Sequence, residues 1–81
     1  MSSRSAVVLR EARQRAGLSQ TELARRAGVA QSVVSAYENG RREPGMAMLA
    51  RLVESTGHRL QVEAEDRLGN RSERTWEFAL P

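Results

Sequence analysis

Cysteine is absent from this 81-residue chain, histidine occurs once, and lysine does not occur at all. Without cysteine there is no disulfide and no thiolate metal site. A single histidine among scattered carboxylates offers no dedicated metal centre, so neither metal nor cofactor is expected. No apolar run approaches the ~18 residues that a bilayer crossing needs. The first residues, MSSRSAVVLREARQ, turn charged too soon for a secretory signal, and a soluble cytoplasmic protein with no membrane partner is the expectation. Nowhere do a nucleophile, a base and an orienting acid stand together. Ser19 and Ser32 are better explained by the helix ends they occupy, so the chain is not expected to be an enzyme.

What is present is arginine. All thirteen basic residues are arginine, and the formal net charge is +3. Residues 1–57 hold nine arginines against five acids, whereas residues 58–81 hold four against five. The first part can approach a polyanion; the second has no such bias. A chain of this size makes one small domain with a compact core, for which dimerisation would add stability.

The apolar spacing predicts four helices. The first covers residues 5–16, capped by Ser5, with Val8, Leu9, Ala12 and Ala16 on one face and Gly17 as its stop. The second begins at Ser19. Glu22 follows at capping-box distance, and Leu18 and Leu23 stand where a hydrophobic staple would be. Leu23, Ala24 and Ala27 face inward, Gly28 permits a tight turn, and Val29 plugs the core. The third covers residues 31–38 with Val33, Val34 and Tyr37 as its apolar face, stopped by Asn39-Gly40. Its adjacent β-branched residues lower its intrinsic propensity, so packing must hold it. A polar loop, Arg41-Arg42-Glu43, leads to Pro44 and Gly45. A fourth helix over residues 46–56 follows, with the stripe Met48, Leu49, Leu52 and Val53 and a stop at Gly57.

Beyond Gly57 the period changes. Leu60, Val62 and Ala64 alternate with polar residues, and Trp76, Phe78 and Leu80 alternate with Thr75, Glu77 and Ala79; a polar loop with Gly69-Asn70 lies between. Two short strands, over residues 59–65 and 75–80, are expected. A lone hairpin is marginal in water, so it must lie on the helices or pair across a dimer. The expected architecture is mainly α: a four-helix domain over residues 1–57 with a β-strand or β-hairpin extension over 58–81. Leu60, Val62, Trp76 and Phe78 are the expected dimer or partner contacts. His58 is expected to be a cap or surface residue.

The stretch 18–44, LSQTELARRAGVAQSVVSAYENGRREP, resembles the helix-turn-helix of phage repressor, Cro and Xre-type DNA-binding proteins. Caps, turn, apolar positions and the E-N-G stop agree in order and spacing. That family usually has five helices; here strands stand in place of the fifth. By resemblance the third helix enters the major groove, with Gln31, Ser32, Ser35 and Ala36 at base edges. Glutamine can donate and accept together to adenine, and an alanine can meet a thymine methyl. Ser19, Gln20, Asn39, Arg41 and Arg42 match phosphate-contacting positions. The family also uses the Gln20 position to brace the first glutamine of the third helix. It often pairs an arginine on the first helix with a glutamate ending the third, and Arg13 and Glu38 match that internal brace. Arg25 and Arg26 are either DNA-facing or solubilising.

The resemblance implies a sequence-specific double-stranded DNA-binding regulator, a homodimeric repressor on an operator with inverted symmetry. Two alternatives stay open. One is the antitoxin of a type II toxin–antitoxin pair that autoregulates its operon and binds a cognate toxin. The other is a protein-interaction module without DNA.

Overall fold

In a computed structural model of the chain, which describes residues 4–62, four α-helices follow one another: α1 (Arg4–Arg15), α2 (Gln20–Ala27), α3 (Gln31–Glu38) and α4 (Met46–Glu54). Helix α1 packs on α3 and α4, and α2 packs on α3 and α4. Leu9, Leu23, Val34 and Leu52 are fully buried where the helices meet, with Tyr37, Leu49 and Val53 around them. Val29 packs against this cluster from the turn between α2 and α3, with Val8, Val33, Met48 and Leu60 at its margin. Burying such aliphatic side chains contributes on the order of 1.5–3 kcal/mol each.

The turn that positions the motif is fixed at Gly28. Its φ of 72° is left-handed, and its N–H donates to the Ala24 and Arg25 carbonyls, while Val29 N–H returns to Ala24. A side chain at Gly28 is disfavoured by this backbone conformation, and its Cβ would stand 3.2 Å from Arg51 Nη2, which would have to shift slightly. At the start of α2 the Ser19 hydroxyl accepts from Glu22 N–H at 3.0 Å. The Glu22 carboxylate pairs with Arg25 one turn on, so only the serine half of the expected capping box is formed.

Other expectations are corrected. Ser5 is not an N-cap: it lies inside α1, and its hydroxyl donates to Glu43 Oε1 at 2.6 Å. Helix α4 ends at Glu54, two residues short of Thr56. There the Thr56 hydroxyl donates back to the Val53 carbonyl at 2.6 Å and closes the helix end. No strand occurs among the described residues. Residues 59–62, the start of the first expected strand, carry neither strand nor helix. Residues 63–65 and the whole second strand lie outside the described residues. Among the described residues no helix is long and apolar enough to cross a membrane.

Candidate nucleic-acid interface

The site is built outward from a buried charge. Glu38, the last residue of α3, is only 2% exposed. A carboxylate there must be paired to persist as an ion. Arg13 on α1 supplies the pair in fork geometry: Nε donates to Glu38 Oε2 at 2.7 Å and Nη2 to Oε1 at 2.9 Å. Arg13 Nη1 donates to the Leu18 carbonyl at 2.8 Å, tying the α1–α2 connection to the same point. The hydrogen bond to Glu38 raises the Arg13 pKa; burial opposes this and the Glu38 charge adds to it. One planar group therefore fixes α1, the entry to α2 and the end of α3 together.

Sequence reasoning missed Arg10 in this cluster. Its Nη2 donates to the backbone carbonyl of Glu38 at 2.7 Å, taking up an acceptor that the end of α3 leaves open. The signal was there: Arg10 lies one turn before Arg13, on the same side of α1.

From Glu38 the hydrogen bonds run toward the surface. Gln20 Nε2, on the first turn of α2, donates to Glu38 Oε1 at 3.2 Å. Gln20 Oε1 in turn accepts from Gln31 Nε2 at 2.8 Å. Gln31 and Ser32 are exposed at the first turn of α3. The N-cap of that helix, Ala30, makes no side-chain cap, so its first turn carries no competing side chain. The sequence placed Gln20 beside a phosphate and Gln31; its tie to Glu38 was not foreseen, because residues 20 and 38 meet only once α2 and α3 have crossed.

The remaining predicted residues divide. Ser19 is exposed, with its oxygen engaged as the cap of α2. Ser35 is half-buried. Ala36, expected at a thymine methyl, is 8% exposed. The loop after α3 folds back over it, with Arg42 N–H donating to the Ala36 carbonyl at 3.2 Å. That loop is ordered by Asn39, whose Oδ1 accepts from Arg41 N–H at 3.0 Å and Arg41 Nε at 3.1 Å. Both arginines of the loop are exposed, and the Arg42 guanidinium lies 5.7 Å from the Tyr37 ring centroid. Arg25 and Arg26 are exposed on α2, with Arg25 engaged by Glu22. Leu60 packs at the margin of the core and Val62 is half-buried, whereas Trp76 and Phe78 lie outside the described residues.

Ser19, Gln20, Gln31, Ser32, Asn39, Arg41 and Arg42 thus belong to one run of chain from the start of α2 to the loop after α3. It offers neutral donors and acceptors at the start of α3 and cations beyond its end. That combination suits base edges flanked by phosphates.

Comparison with known proteins agrees with the geometry. Residues 9–59 match the family model described as Helix-turn-helix. Over 53 residues, 65% of the chain is 45% identical to a protein of Archaeoglobus fulgidus named an uncharacterized HTH-type transcriptional regulator. The chain spans only 23% of that relative's length. No solved structure matches it.

Proposed function

Because the chain belongs to the helix-turn-helix family of DNA-binding proteins, a family of regulators and not of enzymes, we propose that it is a sequence-specific transcriptional repressor acting as a homodimer on double-stranded DNA. The observation that carries this reading is the pair of exposed polar residues opening α3, Gln31 and Ser32, with Gln31 held in place by Gln20. Helix α3 enters the major groove, where Gln31 and Ser32 meet base edges and Ser35 lies one turn further along. Gln20 has a second Nε2 hydrogen to offer a phosphate. Ser19, Asn39, Arg41 and Arg42 follow the backbone on either side. One such motif spans few base pairs, so two copies about one helical turn apart read an inverted repeat. Occupying promoter DNA is the repressing act, in the cytoplasm.

In this reading residues 1–57 read DNA and residues 58–81 hold the dimer through a β extension, with Leu60, Val62, Trp76 and Phe78 as its apolar contacts. The more specific antitoxin reading rests on the segment 57–66, GHRLQVEAED, and on the tail TWEFALP, which could add a strand to a toxin. A toxin-like reading frame beside the gene would favour it.

The test is a gel-shift or anisotropy titration of labelled duplex from the gene's own upstream region. Binding at low salt that weakens steeply as salt rises is expected. No binding anywhere in that region at low salt overturns the proposal. Deleting residues 59–81 should lower dimer affinity in sedimentation, and an unchanged profile overturns the role given to the tail.

A further inference from the structure

The route from Glu38 to Gln31 has a direction. A carboxylate only accepts hydrogen bonds, so only the –NH2 end of Gln20 can face Glu38 Oε1. With that end fixed, Gln20 Oε1 points the other way and requires a donor from Gln31, which the 2.8 Å contact from Gln31 Nε2 supplies. Gln31 is left with its Oε1 acceptor and one remaining N–H. Adenine presents one acceptor (N7) and one donor (N6) in the major groove; guanine presents two acceptors, N7 and O6. One acceptor plus one donor matches adenine. Guanine would need both N–H groups, and Gln20 already holds one.

We infer that Glu38, buried at the far end of α3 and without any contact to DNA, sets the base preference of Gln31 by polarising two amides in series. The inference rests on the proposal that Gln31 reads a base. It makes Glu38 a positioning residue for specificity, in addition to its role as a brace. Arg13 and Arg10 hold the Glu38 carboxylate in place, and Arg13 Nη2 shares Oε1 with Gln20 Nε2.

The change Glu38→Gln removes the constraint. An amide at position 38 can present its –NH2 to Gln20, which can then turn over and accept with its Oε1, and Gln31 can accept from Gln20 and keep both N–H groups for guanine. The reverse exchange restores it. In Gln20→Glu with Glu38→Gln, the amide at 38 donates to the new carboxylate at 20. That carboxylate again demands a donor from Gln31.

The experiment selects bound duplexes from a random-sequence pool with wild type, Gln31→Ala, Glu38→Gln, Gln20→Met and the double exchange, and reads the adenine-to-guanine ratio at the base pair that Gln31→Ala leaves unspecified. Wild type and the double exchange should favour adenine. Glu38→Gln and Gln20→Met should lower that ratio about tenfold. Gln20→Met leaves the Arg13–Glu38 pair intact, so it decides the matter if Glu38→Gln does not fold. A wild-type ratio in either single variant overturns the inference, as does a wild type with no adenine preference that depends on Gln31. Failure of the wild type to retain any duplex instead overturns the DNA-binding proposal itself.

Discussion

Helix α1 meets both α3 and α4 through the shared aliphatic core, and to α3 it adds a charged contact. Its Leu9 and Ala12 enter the aliphatic core, and Val8 and Ala12 line a groove of about 330 Å³ with Val53 and Leu60. Its Arg10 and Arg13 go to Glu38. The two contacts do different work. Apolar burial is non-directional, so it holds α4 against α1 without fixing its rotation closely. A bidentate arginine–carboxylate pair has one good geometry, so it fixes where α3 stands and which way its first turn faces. Stability comes mostly from the first contact, and recognition from the second.

Removing one member of the charged contact should have the largest effect. In Arg13→Ala, Glu38 keeps a buried carboxylate without its main partner, and stability should fall by about 3–5 kcal/mol in urea denaturation. The comparison sharpens when both partners go. Arg13→Met with Glu38→Met leaves no buried charge and should regain most of that loss, since replacing a buried pair by hydrocarbon is often neutral. Base selectivity should stay lost, because nothing then polarises Gln20. A double variant that regains both would mean that the pair is a packing element and no more.

Next in size is Leu52→Ala, in the hydrocarbon contact. Leu52 is 0% exposed, and its truncation should cost about 2–5 kcal/mol. Here the folded fraction should keep the wild-type base preference, measured by duplex selection well below the melting temperature. A changed preference would break the division between the two contacts.

The same division explains what the sequence disclosed. Local rules found all four helices, because each needs only neighbours along the chain: Ser19 before α2, Gly28 after it, and Leu49, Leu52 and Val53 one turn apart. Caps whose side chains have a competing partner were misjudged. Ser5 bonds to Glu43 across the fold, and Glu22 turns to Arg25 although its spacing from Ser19 was right. At the site, the motif gave the residues but not their couplings. Ala36 is 8% exposed and its carbonyl accepts from Arg42 N–H, a return of the loop after α3 that no helical period reveals. The link from Gln20 to Glu38 joins two helices at an angle that spacing does not encode. The extension after Gly57 had only alternation to recommend it, and alternation names a strand without naming its partner.

A smaller effect separates capping from contact at Ser19. Its oxygen accepts from Glu22 N–H, so Ser19→Ala should cost about 1 kcal/mol of stability through α2. The phosphate role proposed for the same hydroxyl adds a second signature. Ser19→Asp keeps the cap but sets a negative charge against DNA, so stability should return in thermal melts while affinity for every duplex falls. Affinity that recovers together with stability would leave Ser19 as a cap alone.

The smallest change in stability is expected at Arg41, and it isolates the last part of the interface. Arg41 is exposed, and among the described residues Asn39 Oδ1 holds it through its backbone N–H and its Nε. Its truncation removes one of those two bonds in full solvent, so the melting midpoint should move by no more than about 0.5 kcal/mol. Its guanidinium nevertheless stands beyond the end of α3, and among the described residues no acid engages it. Arg41→Ala should therefore weaken all duplexes alike and reduce the slope of log affinity against log salt by about 1. The adenine-to-guanine ratio set through Glu38 should not move. That pattern is the mirror image of Gln20→Met, which shifts the ratio through an amide that carries no charge. If Arg41→Ala altered the ratio instead of the slope, the loop after α3 would be part of the reading of bases, and charge and polarity would not divide the interface between them.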